Sequence, residues 1–170
     1  MSVASVLAEE RVLLLRFVGY LSWAEPEGGE TAKRVSGDLL TFFCALDRHE
    51  EFERTIFGGS EAGAGLLSAE HRRLARIRAE ILEILRSSRQ DTCSRLKPLV
   101  ERLSAHLRAQ FAWEEQNLWP RRPPPTGVTE GAHLENRARA NLSRLSAEVA
   151  SCGIYLSDSS GRGSGVPDPR

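Results

Sequence analysis

Apolar residues recur every three to four positions through four long stretches of this chain, and nowhere do they alternate as a half-buried strand requires. That period admits helices packed on one another and little else. The first stretch runs from about Val3 to Trp23, with Val6, Leu7, Leu13, Leu14, Phe17, Val18 and Leu21 on one face, and Glu25, Pro26, Glu27, Gly28 and Gly29 stop it. A second runs from about Thr31 to Phe57 and ends at Gly58 and Gly59. The Gly- and Ala-rich segment from Ser60 to Leu67 reads as a loop, and Ser68 as the N-cap of a third helix that continues through Leu74, Ile77, Ile81, Leu82 and Leu85 to about Arg89. Pro98 suits the first turn of a fourth helix, whose apolar positions Leu99, Leu103, Leu107, Phe111 and Leu118 lead to a stop at Pro120. The expected fold class is all-α, an up-down-up-down four-helix bundle over residues 1–122. Residues 123–156 follow as a stiff spacer, Pro123 to Pro125, and a shorter fifth helix from about Glu130 to Ala150 that packs across the bundle. The Ser-, Gly-, Asp- and Pro-rich residues 157–170 read as a disordered tail.

A chain of 170 residues, 41% of them hydrophobic, can bury one core and no second enzyme domain. Lys plus Arg and Asp plus Glu are 23 each, so no net field draws in nucleic acid or an anionic membrane. The opening residues carry Glu9 and Glu10 where a secretory leader needs an apolar stretch. Apolar runs such as Val12 to Leu15 are broken by Arg16, far short of the roughly 20 residues that span a bilayer. Cys44, Cys93 and Cys152 are odd in number and widely spaced, which suggests neither disulfides nor a thiolate zinc site, but buried, inert thiols in a reducing cytoplasm.

Only four histidines are present, so their placement matters. Comparing the chain with itself at an offset of 61 residues brings Ala8, Glu9, Glu10 and Arg11 onto Ala69, Glu70, His71 and Arg72. The same shift brings His49, Phe52, Glu53 and Phe57 onto Gln110, Trp113, Glu114 and Leu118. Bundles built from two like helix pairs place ligands at equivalent positions. His49 and Glu53 stand four apart, so both leave the same face of helix two, and Gln110 and Glu114 stand the same way on helix four. With Glu10 and His71 at the same level, six side chains converge on the interior: Glu10, His49, Glu53, His71, Gln110 and Glu114. Imidazole and carboxylate donors without thiolate suit iron or manganese, with zinc as an alternative. Without a metal, inward carboxylates would each cost several kcal/mol to desolvate.

The pieces His49-x3-Glu53, the pair Glu70-His71, and Glu114-Glu115-x2-Leu118-Trp119-Pro120 resemble the hemerythrin-like, His-His-Glu cation-binding family over about residues 5 to 120. The resemblance implies a four-helix bundle holding a non-haem di-iron centre, with a mono-metal site as the alternative. Its use would be to bind dioxygen or another diatomic ligand, to sense oxygen or redox state, or to handle iron. The chain departs from the family pattern twice. At the first-helix His stands Glu10, or Arg11 if the register slips by one, and at the fourth-helix His stands Gln110, a weak iron ligand. His106, one turn before Gln110, is a candidate for a displaced ligand, otherwise a core-edge group. His133 reads as a surface residue, Glu50, Glu51 and Glu115 as solvated, and Trp113 and Trp119 as packing groups. No phosphate loop, hydrolytic triad or nucleotide fingerprint occurs, which ranks an enzyme, a carboxylate-bridged oxidase for instance, behind the two main readings. Those are a metal-binding bundle and a metal-free bundle acting as an interaction or regulatory module.

Overall fold

In the computed structural model the described residues are 2–23, 29–57, 61–87, 92–121 and 128–154. They form five α-helices and no strand: α1 (Val3–Trp23), α2 (Gly29–Phe57), α3 (Glu61–Ser87), α4 (Thr92–Asn117) and α5 (Val128–Ser151), with a 3-10 turn, Trp119–Arg121, after α4. Ser2 caps α1, its Oγ accepting the Ser5 amide at 3.2 Å. Gly153, at φ +74°, ends α5 by placing the Ile154 amide 3.3 Å from the Val149 carbonyl, a left-handed turn that glycine adopts without strain.

Three boundaries differ from the sequence expectation. Helix α3 begins at Glu61, so the stretch expected as a loop is helical and Ser68 lies inside the helix rather than at its cap. Alanine and leucine outvote the two glycines there, since each Gly costs only about 1 kcal/mol in a helix whose later turns are fixed by packing. Helix α4 begins at Thr92 and carries Pro98 in its interior. An interior proline costs about 3 kcal/mol, and here it is offset by Leu96, which the upstream turn buries in line with Val100, Leu103 and Leu107. Helix α5, at 24 residues, is no shorter than α1 at 21. The expected proline spacer at 123–125 and the tail from 157 lie outside the described residues.

Helix α1 packs on α2, α2 on α3 and α3 on α4, α4 returns to pack on α1, and α5 lies against α1 and α2. Two apolar clusters result. The larger joins Leu13, Leu14, Phe17, Phe42, Ile81, Leu103 and Leu107, with Leu145 and Val149 added from α5. The smaller joins Val3, Val6, Leu7, Phe52, Ile56 and Leu118 with Ala138 from α5. Helix α5 is pinned further by the ion pair of Arg48 with Glu148 and by Arg137, whose guanidinium lies 5.5 Å from the Phe52 ring centroid. Between Leu7 and Leu13 on α1, Leu46 and Ile56 on α2, and Leu107 and Leu118 on α4, the sequence inserts polar residues at core positions. A buried polar layer therefore separates the two clusters. No helix is long and apolar enough to cross a membrane among the described residues.

Candidate metal centre

Four helices feed the polar layer, and helical geometry selects what each contributes. On α1 the consecutive residues Glu10 and Arg11 both turn inward, with 2% and 8% exposure. On α2 the one-turn spacing of His49 and Glu53 sends both into the layer, and on α4 Gln110 and Glu114 repeat it; all four are buried. Helix α3 contributes His71, whose side chain keeps 11% of its surface exposed. The six residues singled out from the sequence thus occupy one layer, and the structure divides them into sets.

Glu53, His71 and Glu114 each offer a ligand atom, and these three atoms lie within 4.8 Å of one another. Within the set, His71 Nε2 is 3.7 Å from Glu53 Oε2, and neither atom has a hydrogen-bond partner. Two ligands held at about 2.1 Å from one ion stand roughly 3 to 3.5 Å apart, so a modest contraction would seat a cation between them. Glu10 and His49 form the second set, behind Glu53. His49 Nδ1 lies 3.3 Å from Glu10 Oε2 and Nε2 lies 3.1 Å from Glu53 Oε1, close enough for ion pairing but off the line of a good hydrogen bond. The imidazole is held edge-on against Phe111, centroids 5.3 Å apart. Gln110 stands beside Glu114, its Nε2 donating to Oε1 at 2.7 Å while its own carbonyl oxygen has no partner.

The residue that the six-member reading left out is Arg11. Its Nη2 donates to Glu53 Oε1 at 2.7 Å and to Glu114 Oε2 at 2.6 Å, bridging the carboxylates of α2 and α4. Phe111 and Trp119 flank the guanidinium, with ring centroids 5.2 and 5.4 Å from its central carbon. The signal was present in the sequence. Arg11 lies four residues after Leu7 and three before Leu14, so the helical period that buries both leucines buries the arginine too. In contact terms Arg11, rather than Glu10, is the α1 counterpart of His71, because both reach Glu53.

Charge sets the protonation pattern. Three carboxylates, Glu10, Glu53 and Glu114, face one guanidinium, which leaves the layer two positive charges short of neutrality unless two protons or one divalent cation enter. Burial opposes a charged imidazole at His49, but Glu53 and Glu10 outweigh it and raise its pKa to about 10. His71 is raised as well, burial again opposing and Glu53, Glu50 and Glu114 prevailing. Although burial works against its charged form, Glu53 is held well below the usual carboxylate range by His49, His71 and Arg11. Glu114 is pushed up to about 8, by burial and by the charge on Glu53, even with Arg11 and Gln110 working the other way. The two carboxylates that share Arg11 are thus pushed in opposite directions, Glu53 down and Glu114 up.

Other candidates fall outside this layer. His106 Nε2 sits 3.6 Å from Glu70 Oε2 at the α3–α4 edge and does not join the ligand set. His133, Glu51 and Glu115 are exposed as expected, whereas Glu50 is half-buried near His71, its carboxyl raised by burial. Trp113 and Trp119 are half-buried against the smaller cluster. The expectation of buried thiols fails at Cys44, which is exposed because it falls between the inward residues Phe43 and Ala45 on the outer face of α2. Cys152 is partly buried with its thiol pushed up to about 11, chiefly by burial, so it stays protonated and inert. The side chain of Cys93 lies outside the described residues. Compared with protein-family models, with curated proteins and with solved structures, the chain matches none.

Proposed function

We propose that this chain is a hemerythrin-like, up-down-up-down four-helix bundle that binds a transition-metal ion in its buried polar layer, with Glu53, His71 and Glu114 as ligands. The observation that supports this most directly is the convergence of those three donors within 4.8 Å inside the bundle, two of their atoms lacking any other partner. Buried polar atoms are normally satisfied, so an unsatisfied imidazole nitrogen facing an unsatisfied carboxylate oxygen is a place where a cation belongs. The fit is to one ion. Arg11 already occupies one oxygen of each carboxylate and brings a positive charge beside them, which favours a mononuclear centre over the di-iron pair that the resemblance implies.

An imidazole with two carboxylates suits iron, manganese or zinc, and of these iron would supply reversible binding of a diatomic ligand such as dioxygen, or a redox response. The protein's own part is definite. Gln110 orients Glu114 through its amide, Glu10 and His49 brace Glu53 from behind, and the two apolar clusters keep bulk water from the layer. Elemental analysis of protein purified without chelator, followed by anaerobic ferrous reconstitution and aeration, tests this reading. The expected result is close to one metal per chain and a new absorption band on aeration. Protein that retains no metal and stays colourless overturns it.

A second reading has its own support: the Arg11 bridge cross-links α2 and α4 without any metal, as a metal-free interaction module would need. Under that reading the melting temperature is indifferent to metal and chelator.

A further inference from the structure

Helix α1 is apolar nearly all round, yet only part of it is covered. Of its 21 residues four are charged, and two of these, Glu10 and Arg11, turn into the polar layer, so Glu9 and Arg16 carry the only charge on its outer face. Between them Val12 stands 49% exposed, one of two large hydrophobic residues so placed among the described residues. Ala4 and Ala8 are exposed beside it. Grooves run along both flanks of this ridge. One, of about 470 Å³ and lined by Ala4, Ala8, Val12 and Leu15, lies against α4, and the other, of about 430 Å³ and lined by Glu9, Arg16 and Leu142, lies against α5. A helix with so apolar a surface normally meets a neighbour on every side, and α2, α4 and α5 cover the others.

We propose that this face pairs with the same face of a second copy of the chain, the two α1 helices running antiparallel across a two-fold axis at the level of Val12 and Leu13. The charges select that partner. Glu9 and Arg16 are seven residues apart, so they share one stripe of the helix, about 10.5 Å from each other along its axis. Neither is ion-paired within the chain among the described residues. A two-fold axis perpendicular to the helix and midway between them sets Glu9 of each copy against Arg16 of the other, two reciprocal ion pairs from one operation. The same operation brings Val12 onto Val12. A parallel pairing would instead set like charges side by side. Because the stripe is neutral, neither a uniformly acidic nor a uniformly basic partner matches it, whereas a surface with the same two charges in reverse order does. Alanine at positions 4 and 8 leaves no long side chain there to hold the two backbones apart.

This pairing uses the outer face of α1 and does not rest on a bound metal, so the test is made on full-length protein treated with chelator. Sedimentation velocity over roughly 5 to 200 μM should show the mass rising from monomer to dimer, with a dissociation constant on the order of tens of micromolar, as suits a small and partly polar interface. Val12→Glu, which sets two like charges against each other at the axis, should leave monomer throughout. Glu9→Arg should weaken dimerisation about tenfold, and adding Arg16→Glu to it should restore the parent affinity, because the exchanged stripe is again complementary to itself. Leu40→Glu, at the other exposed hydrophobic residue, on α2, should change nothing. All four positions are exposed, which keeps the test clear of folding. A monomer at every concentration, a dimer that survives Val12→Glu, a double exchange no tighter than the single, or loss of the dimer on Leu40→Glu would each overturn the proposal.

Discussion

The α1–α2 pair and the α3–α4 pair share a frame and differ in how they fill it. At the offset of 61 residues, Glu53 and Glu114 are both wholly buried and each accepts from Arg11, and His49 and Gln110 stand one turn before them. The first pair nevertheless carries two carboxylates, a guanidinium and an imidazole. The second carries one carboxylate, one imidazole and an amide, and its carboxylate accepts from a guanidinium that α1 supplies. The matched arginines show the contrast most sharply: Arg11 is buried between carboxylates, whereas Arg72 is exposed. Like spacing along two helix pairs therefore does not imply a like set of contacts. The cluster that could hold a metal straddles the two pairs, Glu53 from one and His71 with Glu114 from the other.

The largest effect should come from removing the residue that breaks the symmetry. Arg11→Ala in chelated protein leaves Glu53 and Glu114 buried without their shared partner, and loss of one member of a buried pair costs about 3–5 kcal/mol. The matched Arg72→Ala should leave the melting curve in place. Parallel urea titrations of the two variants check this, and equal losses would mean that the Arg11 bridge contributes nothing that an exposed arginine does not.

Metal binding should come next in size. At a free metal concentration of 100 times its dissociation constant, a single-site ligand stabilises by about 2.7 kcal/mol, read as a rise in melting temperature. His71→Ala and Glu114→Gln should abolish that rise. Glu10→Gln, outside the ligand set, should keep it. Gln110→His gives α4 the imidazole that α2 already has, and should tighten binding on the order of tenfold, the scale on which groups around a metal change its affinity. A rise that survives His71→Ala would remove α3 from the site.

How much of this was legible in the sequence follows from which signals are local. The helical period placed α1 to α5, and the one-turn spacings at His49–Glu53 and Gln110–Glu114 put both pairs on inward faces, because burial follows a face whatever residue stands on it. The same rule buried Arg11, but a rule that sorts residues by type sets an arginine outside. Partner choice could not be read at all: that Glu10 turns to His49 while Arg11 spans to Glu53 and Glu114 depends on how α1 is rotated against α2 and α4, and spacing along one helix says nothing of rotation against another. The start of α3 was hidden for a different reason. Gly63 and Gly65 mark a break locally, and only packing further along the helix decides otherwise.

The two pairs should also separate by pH. His49, raised from an ordinary 6.5 to about 10, contributes stability that is complete below about pH 6.5 and lost as the pH climbs toward 10. Glu114, raised from 4.5 to about 8, loses its contribution in the same direction over a lower window. Glu53, held low, acts oppositely, its contribution present above pH 4.5 and lost in acid. The metal-free protein should thus be most stable at about pH 4.5 to 5 and lose several degrees of melting temperature toward pH 10. His49→Gln should flatten the upper part of the alkaline limb and Glu114→Gln the lower part. A flat profile in the parent would show that the layer does not hold these protons.

The smallest effect concerns where each pair keeps its ionic links between helices. In the α1–α2 pair one such link, beside that of Arg11 with Glu53, is Glu10 with His49, both buried, whereas in the α3–α4 pair Glu80 meets Arg102 at 2.7 Å with both side chains about half exposed. An exposed pair gains little, because water screens the attraction and two long side chains lose freedom to make it, so Glu80→Gln should cost no more than about 1 kcal/mol. What it does cost should vanish in roughly 1 M salt, where the screening length falls to about 3 Å. The effect of Glu10→Gln should persist in the same salt, since counterions cannot enter a layer closed by apolar clusters on both sides. Salt sensitivity thus sorts the two links by burial: a Glu10→Gln effect that disappears in salt would show that the layer is open to solvent, and would weaken the case for a sheltered metal there.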